Sequence, residues 1–356
     1  MVISHTYVVG ANRAKFQHLA VHADLTLIVP QRWRDTLRVM PLDPRAPDAR
    51  YQLVALPTLF DGHLARFFFS PLAFWQTVRR LAPDLAHVET EPIGMSFLQT
   101  SLLKRWRLCF FTWQNIHLPT TPIEAFNLAR ADGAIAGNRA AAAVLRAKGF
   151  RRSLTLCPQL GVDAPTAPAP QPRHDTFRIG YAGRLVAEKG LLVLFDTLAH
   201  LAGNWELRLI GAGPLRAMLE QLTVTRGMQA RAHFIGAVPH AGVAAQMRDL
   251  DVLVLPSLTT PTWKEQFGHV LIEAMALGVP VVGSDSGAIP EVIGDAGLTV
   301  PENDASALRA VLDRLMRDDA LRSSLAQRGL ERVRAEFTHE QIARKTWDTW
   351  QPLLQP

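Results

Sequence analysis

From residue 176 to residue 300 the chain alternates short, continuously apolar runs with segments of helical spacing. The runs are FRIGYAG, WELRLIGAG, AHFIGAV, DVLVLPS, PVVGSDSG and LTVP. A run that is apolar on both faces must be covered on both faces. Only a parallel sheet with helices packed above and below it provides that. The first half repeats the pattern. VISHTYVV, ADLTLIVP, YQLVAL, LAHVET, LCFFTW, GAIAG and SLTLCP read as strands, and KFQHLAVH, FWQTVRRLAP, IEAFNLARA and NRAAAAVLRAKG as helices. Between the halves, GVDAPTAPAPQPRHD (161–175) is proline-rich and has almost no large apolar side chain, which marks a linker or an extended crossing. The expected fold class is therefore α/β: two doubly wound, Rossmann-like domains facing each other across a cleft. In such folds ligands bind beyond the carboxyl ends of the strands.

A length of 356 residues suits two domains. No apolar run reaches the roughly 18 residues of a membrane span. The start, MVISHTYVV, lacks the basic region and cleavage site of a signal peptide. Cys109 and Cys157 lie in apolar runs and read as reduced, buried thiols. A cytoplasmic location follows as the expectation. Charge is uneven: residues 1–160 carry 19 Lys and Arg against 10 Asp and Glu, and residues 161–356 carry 19 against 22. A basic first half suggests an anionic neighbour, such as a lipid surface, a phosphorylated acceptor or an acidic glycan. No nucleic-acid-binding module is recognisable.

Four clusters at strand-to-helix transitions carry the chemistry. In GYAGRLVAEKG, Gly183 lets the backbone approach a ligand, and Arg184 and Lys189 suit a diphosphate. In IGAGPLRAML, Gly211 opens a nucleotide-loop turn, but Arg216 stands where a dinucleotide fingerprint needs its third glycine, and residue 231 is arginine rather than an acid. In KEQFGHVLIEAMALGVPVV, Glu265 precedes a helix and Glu273 lies on it, leaning back toward the helix start. The amides of Phe267, Gly268 and His269 open that helix and form an anion site between the two carboxylates. GSDSGAIPEV, 283–292, is a glycine-serine turn beside them. Asp249-Leu250-Asp251 sits at a helix-to-strand junction and reads as structural, so no metal site is expected.

GRLVAEKG, GAGP, FIGAV, VLPS, E-x-FG-x-x-x-x-EAMA-x-G-x-PVV and SGAIPEVI, in this order, resemble the family 4 (group 1) retaining glycosyltransferases of the GT-B class, over about residues 161–340. The resemblance implies that Arg184 and Lys189 hold the donor diphosphate, that Glu265 contacts the transferring sugar, that Glu273 binds the ribose and that Val238 lies near the base. Pro256, in VLPS, joins the donor-lining positions. It also implies domains at 1–162 (acceptor side) and 163–337 (donor side), with a last helix, 338–356, crossing back to the first. The reaction implied is metal-independent transfer of a hexose-type sugar from a UDP- or GDP-type sugar, with no permanently bound cofactor and with retention of configuration. The acceptor implied is a glycan or lipid-linked molecule of cell-envelope or exopolysaccharide synthesis. A nucleotide-sugar epimerase, a phosphorylase on the same scaffold, and an inactive nucleotide-sugar-binding protein are the competing readings.

The first half departs from that pattern. VVGANRAK has a single glycine, followed by Asn12, Arg13 and Lys15, and FFTWQNIH places Gln114 where a histidine is usual, with His117 three residues later. Glu89 and Glu91, in HVETEP, are strand-end candidates. Asn12, Glu91, Gln114 and His117 are thus the acceptor-side set. LARFFFSPLAFW (64–75) and LLKRWRL (102–108) are candidates for peripheral contact with anionic membrane at its inner face.

Overall fold

The computed structural model describes residues 1–34, 39–166 and 175–355. Most of the proline-rich crossing, residues 167–174, lies outside the described residues. The chain divides into two compact units: unit 1 is Met1–Gly161 with His339–Pro356, and unit 2 is Val162–Thr338.

Unit 1 is a seven-stranded parallel sheet. Its strands are β1 (Val2–Ile3), β2 (Thr26–Pro30), β5 (Gln52–Leu56), β8 (Leu85–Val88), β9 (Arg107–Thr112), β10 (Gly133–Ala136) and β11 (Ser153–Leu156). Two antiparallel ribbons branch from it, β3 (Arg32–Arg34) with β4 (Val39–Pro41), and β6 (Thr58–Leu59) with β7 (Phe68–Phe69). The order β11-β10-β9-β8-β1-β2-β5 reverses direction between β1 and β8. The helices are α1 (Lys15–Leu19), α2 (Pro71–Leu81), α3 (Met95–Leu102), α4 (Pro122–Arg130) and α5 (Arg139–Ala147). Their starts are encoded locally: Thr121 and Asn138 accept the amides of Glu124 and Ala141, at 3.2 and 2.7 Å. Alternate strand residues feed opposite cores. Ile3, Ile28, Val88 and Phe110 enter one, while Val2, Leu27, Cys109 and Phe111 enter the other.

Unit 2 is a six-stranded parallel sheet. It comprises β12 (Phe177–Ala182), β13 (Trp205–Ile210), β14 (Ala232–Gly236), β15 (Val252–Leu255), β16 (Val281–Ser284) and β17 (Leu298–Val300). The order β14-β13-β12-β15-β16-β17 reverses between β12 and β15. Its helices are α6 (Leu191–Ala199), α7 (Arg216–Thr225), α8 (His240–Arg248), α9 (His269–Ala276), α10 (Ile289–Ile293), α11 (Ala305–Arg317) and α12 (Asp319–Glu336). The last helix, α13 (His339–Leu354), belongs to unit 1, where Ile342, Ala343 and Trp350 enter the second core.

The opening run VISHTYVV is a strand only at Val2–Ile3. Ser4 Oγ accepts the Thr6 amide at 3.1 Å, and the chain turns into a 3-10 helix at Thr6–Val8. Both cysteines are buried and free. Burial pushes the Cys157 thiol up to about 11. Asp249 and Asp251 are held in ion pairs and hydrogen bonds: Arg178 Nη1 and Arg208 Nη1 reach the Asp249 carboxylate at 2.6 and 2.5 Å, and the Arg178 amide donates to Asp251 at 2.8 Å. No helix among the described residues is long and apolar enough to cross a membrane.

Candidate functional site

The loops that follow β12 and β15 meet at the switch point of unit 2, where a doubly wound sheet leaves a crevice. Gly183 follows β12 and is exposed, and its amide donates to Ile210 O at 2.9 Å. The Arg184 side chain is 56% exposed, with Glu188 as a loose partner at 3.7 Å. Tyr181 holds the Arg184 carbonyl through its hydroxyl at 2.6 Å. Burial raises the Tyr181 phenol well above its usual value, Glu265 raises it further, and Arg184 opposes them. One hydroxyl therefore senses both the candidate cation and the candidate carboxylate.

A 3-10 turn, Ala187–Lys189, brings Lys189 inward. Lys189 Nζ donates to Glu265 Oε2 at 2.5 Å, the two side chains being 14% and 7% exposed, and lies 5.0 Å from the centre of the Trp263 ring. Ser257, two residues past β15, donates to the same Glu265 oxygen at 2.7 Å. The next residue, Gly190, adopts φ +66°, and a Cβ there would meet Pro256 O at 1.8 Å. Buried Pro256 and Gly190 thus press the two loops together, and only glycine permits the approach. Gly211, at φ +136°, packs in the same way, its Cβ position being 1.9 Å from Gly183 O. Ala288, in the serine turn after β16, donates to Glu265 O at 3.0 Å.

Gly268 caps α9 in the left-handed conformation, so the helix begins at His269. Phe267 is one of the residues whose amides were expected to bind an anion; its ring is buried against Phe337, 5.7 Å between centroids. His269 Nδ1 lies 3.0 Å from Glu273 Oε1, one helical turn on. The other ring nitrogen, Nε2, is buried with no hydrogen-bond partner. Glu273 is half-buried. Val238 is half-buried beside the first turn of α8. Lys189, Glu265, Ser257, Trp263 and Tyr181 therefore form one cluster with the Arg184 backbone, and His269 and Glu273 form a pair on the adjoining helix. Ser257, Trp263 and Tyr181 escaped the sequence reading. The placement of Ser257 just past a strand at the switch point was the available signal.

In unit 1 the acceptor-side residues divide. Glu91 Oε1 accepts the Trp113 amide at 2.9 Å and Oε2 accepts the Thr112 hydroxyl. Burial raises the Glu91 carboxyl above its usual value, against those hydrogen bonds, and Glu124 adds to the rise. Gln114 is its neighbour. Its amide nitrogen donates to Glu124 Oε1 and its oxygen accepts from Lys148 Nζ, both at 3.1 Å, in the orientation that satisfies both groups. His117 is exposed on the loop beyond, and Asn12 is tied to Thr6 O at 3.0 Å. Arg13 and Lys15 are buried and fully engaged. The Arg13 guanidinium donates to the carbonyls of Tyr7, Val8, Asp43 and Pro44. Lys15 Nζ pairs with Glu89 Oε1 at 2.7 Å. Burial alone would push Glu89 up, but the Lys15 ammonium and then His87 hold its carboxyl well below the usual range. Glu89 is thus a structural hub, also gripped by Tyr7 and, at 2.8 Å, by Gln159.

Residues 165–332 match the family model described as glycosyl transferases group 1. The match covers a little under half of the chain. This segment is 37% identical over 164 residues to the phosphatidyl-myo-inositol mannosyltransferase of Mycobacterium leprae, covering 46% of this chain and 40% of that one. It is 35% identical over 153 residues to the amylovoran biosynthesis glycosyltransferase AmsK of Erwinia amylovora, covering 41% and 38%. The matches thus span about two fifths of each relative's length. Across the whole chain the fold is that of solved GT-B glycosyltransferases. A sucrose-phosphate synthase from Thermosynechococcus elongatus superposes with TM-score 0.76 at 22% identity, covering 99% of this chain and 98% of that one. Anabaena HepE in complex with UDP superposes with TM-score 0.72 at 18% identity, covering 99% and 98%.

Proposed function

We propose that the chain is a retaining glycosyltransferase that moves a hexose-type sugar from a nucleoside diphosphate sugar to a glycan or lipid-linked acceptor of the cell envelope or an exopolysaccharide. One observation carries this reading: the Lys189–Glu265 pair sits at the unit 2 switch point beside an exposed Arg184. In the Michaelis complex Arg184 and Lys189 hold the diphosphate, with the first amides of α9 adding their dipole. When the bond from C1 to the diphosphate oxygen breaks, these groups stabilise the charge that builds on the leaving group. Glu265 accepts a hydroxyl of the transferring sugar, and Glu273, oriented by His269, accepts the ribose hydroxyls. The acceptor oxygen bonds to C1 from the leaving-group face and passes its proton to the departing diphosphate. That step needs neither a carboxylate nucleophile nor a metal ion. Gly183, Gly211, Val238 and Pro256 line the donor. Asn12, Glu91, Gln114 and His117 serve the acceptor side, Glu91 and Gln114 as one group. The division of labour is donor binding in 163–337 and acceptor binding in 1–162, with 338–356 completing the latter. HepE has been solved with UDP and with UDP-glucose, which supports a UDP-type donor. The enzyme works in the cytoplasm, at the inner face of the membrane.

The decisive experiment incubates the chain with UDP- and GDP-sugars and follows products with and without acceptor glycans. Free nucleoside diphosphate that rises with acceptor supports transfer. A new nucleotide sugar would mean epimerisation, and neither product would mean a binding protein. Product NMR reports the anomeric configuration, and activity that survives a chelator supports metal independence.

A further inference from the structure

The aromatic and basic segments 64–75 and 102–108 divide between core and surface. Phe67, Phe69 and Phe74 are fully buried, and Trp106 nearly so. Trp75 and residues 102–107 line a groove of about 1070 Å³ at the amino-terminal ends of β8 and β9. Ligands of a doubly wound sheet bind at the opposite, carboxyl ends. The groove has two components. Its cations are Arg79, Lys104, Arg105 and Arg107, against a single acid, Asp84. Lys104 is neutralised by Asp132 at 2.7 Å. Arg105 and Arg107 are exposed, and neither guanidinium has a partner among the described residues. A contiguous hollow that shares Lys104, Arg105 and Trp106 adds Arg130 and Arg152.

The second component is apolar. Trp75 is 43% exposed, with the Arg79 guanidinium 5.3 Å from its ring centre, and Leu102 is 64% exposed. Leu354 stands at the rim, and Leu72, on the first turn of α2, is also exposed. Large exposed apolar side chains grouped on a surface mark an interaction site, and here they stand beside exposed arginines. At a bilayer surface the same set is matched: arginines reach headgroup phosphates, and the tryptophan and leucines enter the acyl boundary. A nucleic acid or an acidic polysaccharide would satisfy the cations and leave Leu72 and Leu102 in water. We propose that this groove docks unit 1 on an anionic phospholipid surface, with Arg105 and Arg107 taking headgroup phosphate and Trp75 and Leu102 inserting beside them. Docking would hold the transferase proposed above at the membrane, leaving the carboxyl ends of the unit 1 strands uncovered, and it rests on that function only for this setting.

The test sediments the full chain with phosphatidylglycerol-containing vesicles and with neutral phosphatidylcholine vesicles, at low and high salt. The wild type is expected to partition onto the anionic vesicles alone, less so at high salt. Arg105→Glu with Arg107→Glu should reduce that partition at least tenfold, and Trp75→Ala with Leu102→Ala should reduce it at both salt levels. Melting temperature and the thermal shifts given by UDP and GDP are followed in every sample. Equal, negligible binding to both vesicle types overturns the proposal. So does a charge-reversed variant that binds like wild type, or retention on a soluble polyanion without vesicle binding. Vesicle binding without a thermal shift from either UDP or GDP would instead overturn the transferase reading and leave docking intact.

Discussion

The two sheets reverse direction at equivalent places, and the chain treats those places in opposite ways. In unit 1 the switch between β1 and β8 is filled by the chain itself. Lys15, Glu89, Tyr7 and Gln159 satisfy one another there, with His87 Nε2 beside Glu89 at 3.4 Å, and none of the five is more than 8% exposed. In unit 2 the switch between β12 and β15 is only half closed. Lys189 and Glu265 are paired, but the Arg184 side chain is 56% exposed and has only Glu188, at 3.7 Å, as a loose partner. A satisfied buried network rigidifies a fold. An unsatisfied one is where a ligand gains most by binding. The same topology therefore gives a structural keystone in one unit and a candidate site in the other, and the difference lies in which side chains complete each other without help.

Substitutions can break this contrast. The largest effect should come from the keystone. Lys15→Met leaves the Glu89 carboxylate buried and unpaired, and should cost about 3–5 kcal/mol of stability. Denaturant titration measures it, and UDP affinity should not change; an unmoved transition would mean that the network holds nothing. Next, Lys189→Ala should lower kcat roughly a hundred- to a thousandfold, the cost of removing one group that stabilises transition-state charge. Stopped assays with and without acceptor read this, and wild-type turnover would end the assignment of Lys189. Glu273→Ala should weaken UDP binding roughly tenfold or more by calorimetry, as expected for hydrogen bonds to a charged group. His269→Ala should weaken it less, by loosening Glu273.

The smallest effect sharpens the contrast by pH. Burial lowers the His5 imidazole from 6.5 to about 4, against the pull of Glu89, and lowers His87 as well. Both are neutral when folded and take up protons more readily when unfolded, so their contribution is complete above pH 6.5. It is lost as pH falls toward about 4. Unit 1 should therefore lose stability on mild acidification. Thermal melts between pH 7 and pH 4.5, read through the unit 1 tryptophans Trp106 and Trp350, would show a falling midpoint. A flat profile would mean that these imidazoles are hydrated in the native state.

The fold of unit 2 was legible because β12, β15 and β16 are buried, largely apolar runs and glycines mark the loops after β12, β13, β15 and β16. The candidate donor set was legible for the same reason, since strand ends and a helix start are local features. Unit 1 was harder to read. Its first strand stops at Ile3 because the Ser4 hydroxyl captures the Thr6 amide, a bond invisible to hydrophobic patterning. Arg13, Lys15 and Glu89 look like ligand-facing groups in sequence. Their burial depends on contacts 30 to 144 positions away, with Asp43 and Pro44 for Arg13 and with Glu89 and Gln159 for Lys15. Local sequence carries no trace of such partners. The pairing of His269 with Glu273 was readable from their spacing of one helical turn.

The return of α13 to unit 1 has a consequence for biosynthesis. Ile342, Ala343 and Trp350 finish a core whose other members, such as Leu27 and Phe111, leave the ribosome hundreds of residues earlier. Unit 2, emerging whole in between, can collapse while its elder neighbour still lacks a wall. Of the two units the one that emerges earlier is completed later, so a product lacking α13 would carry an intact unit 2 beside a half-open, aggregation-prone unit 1.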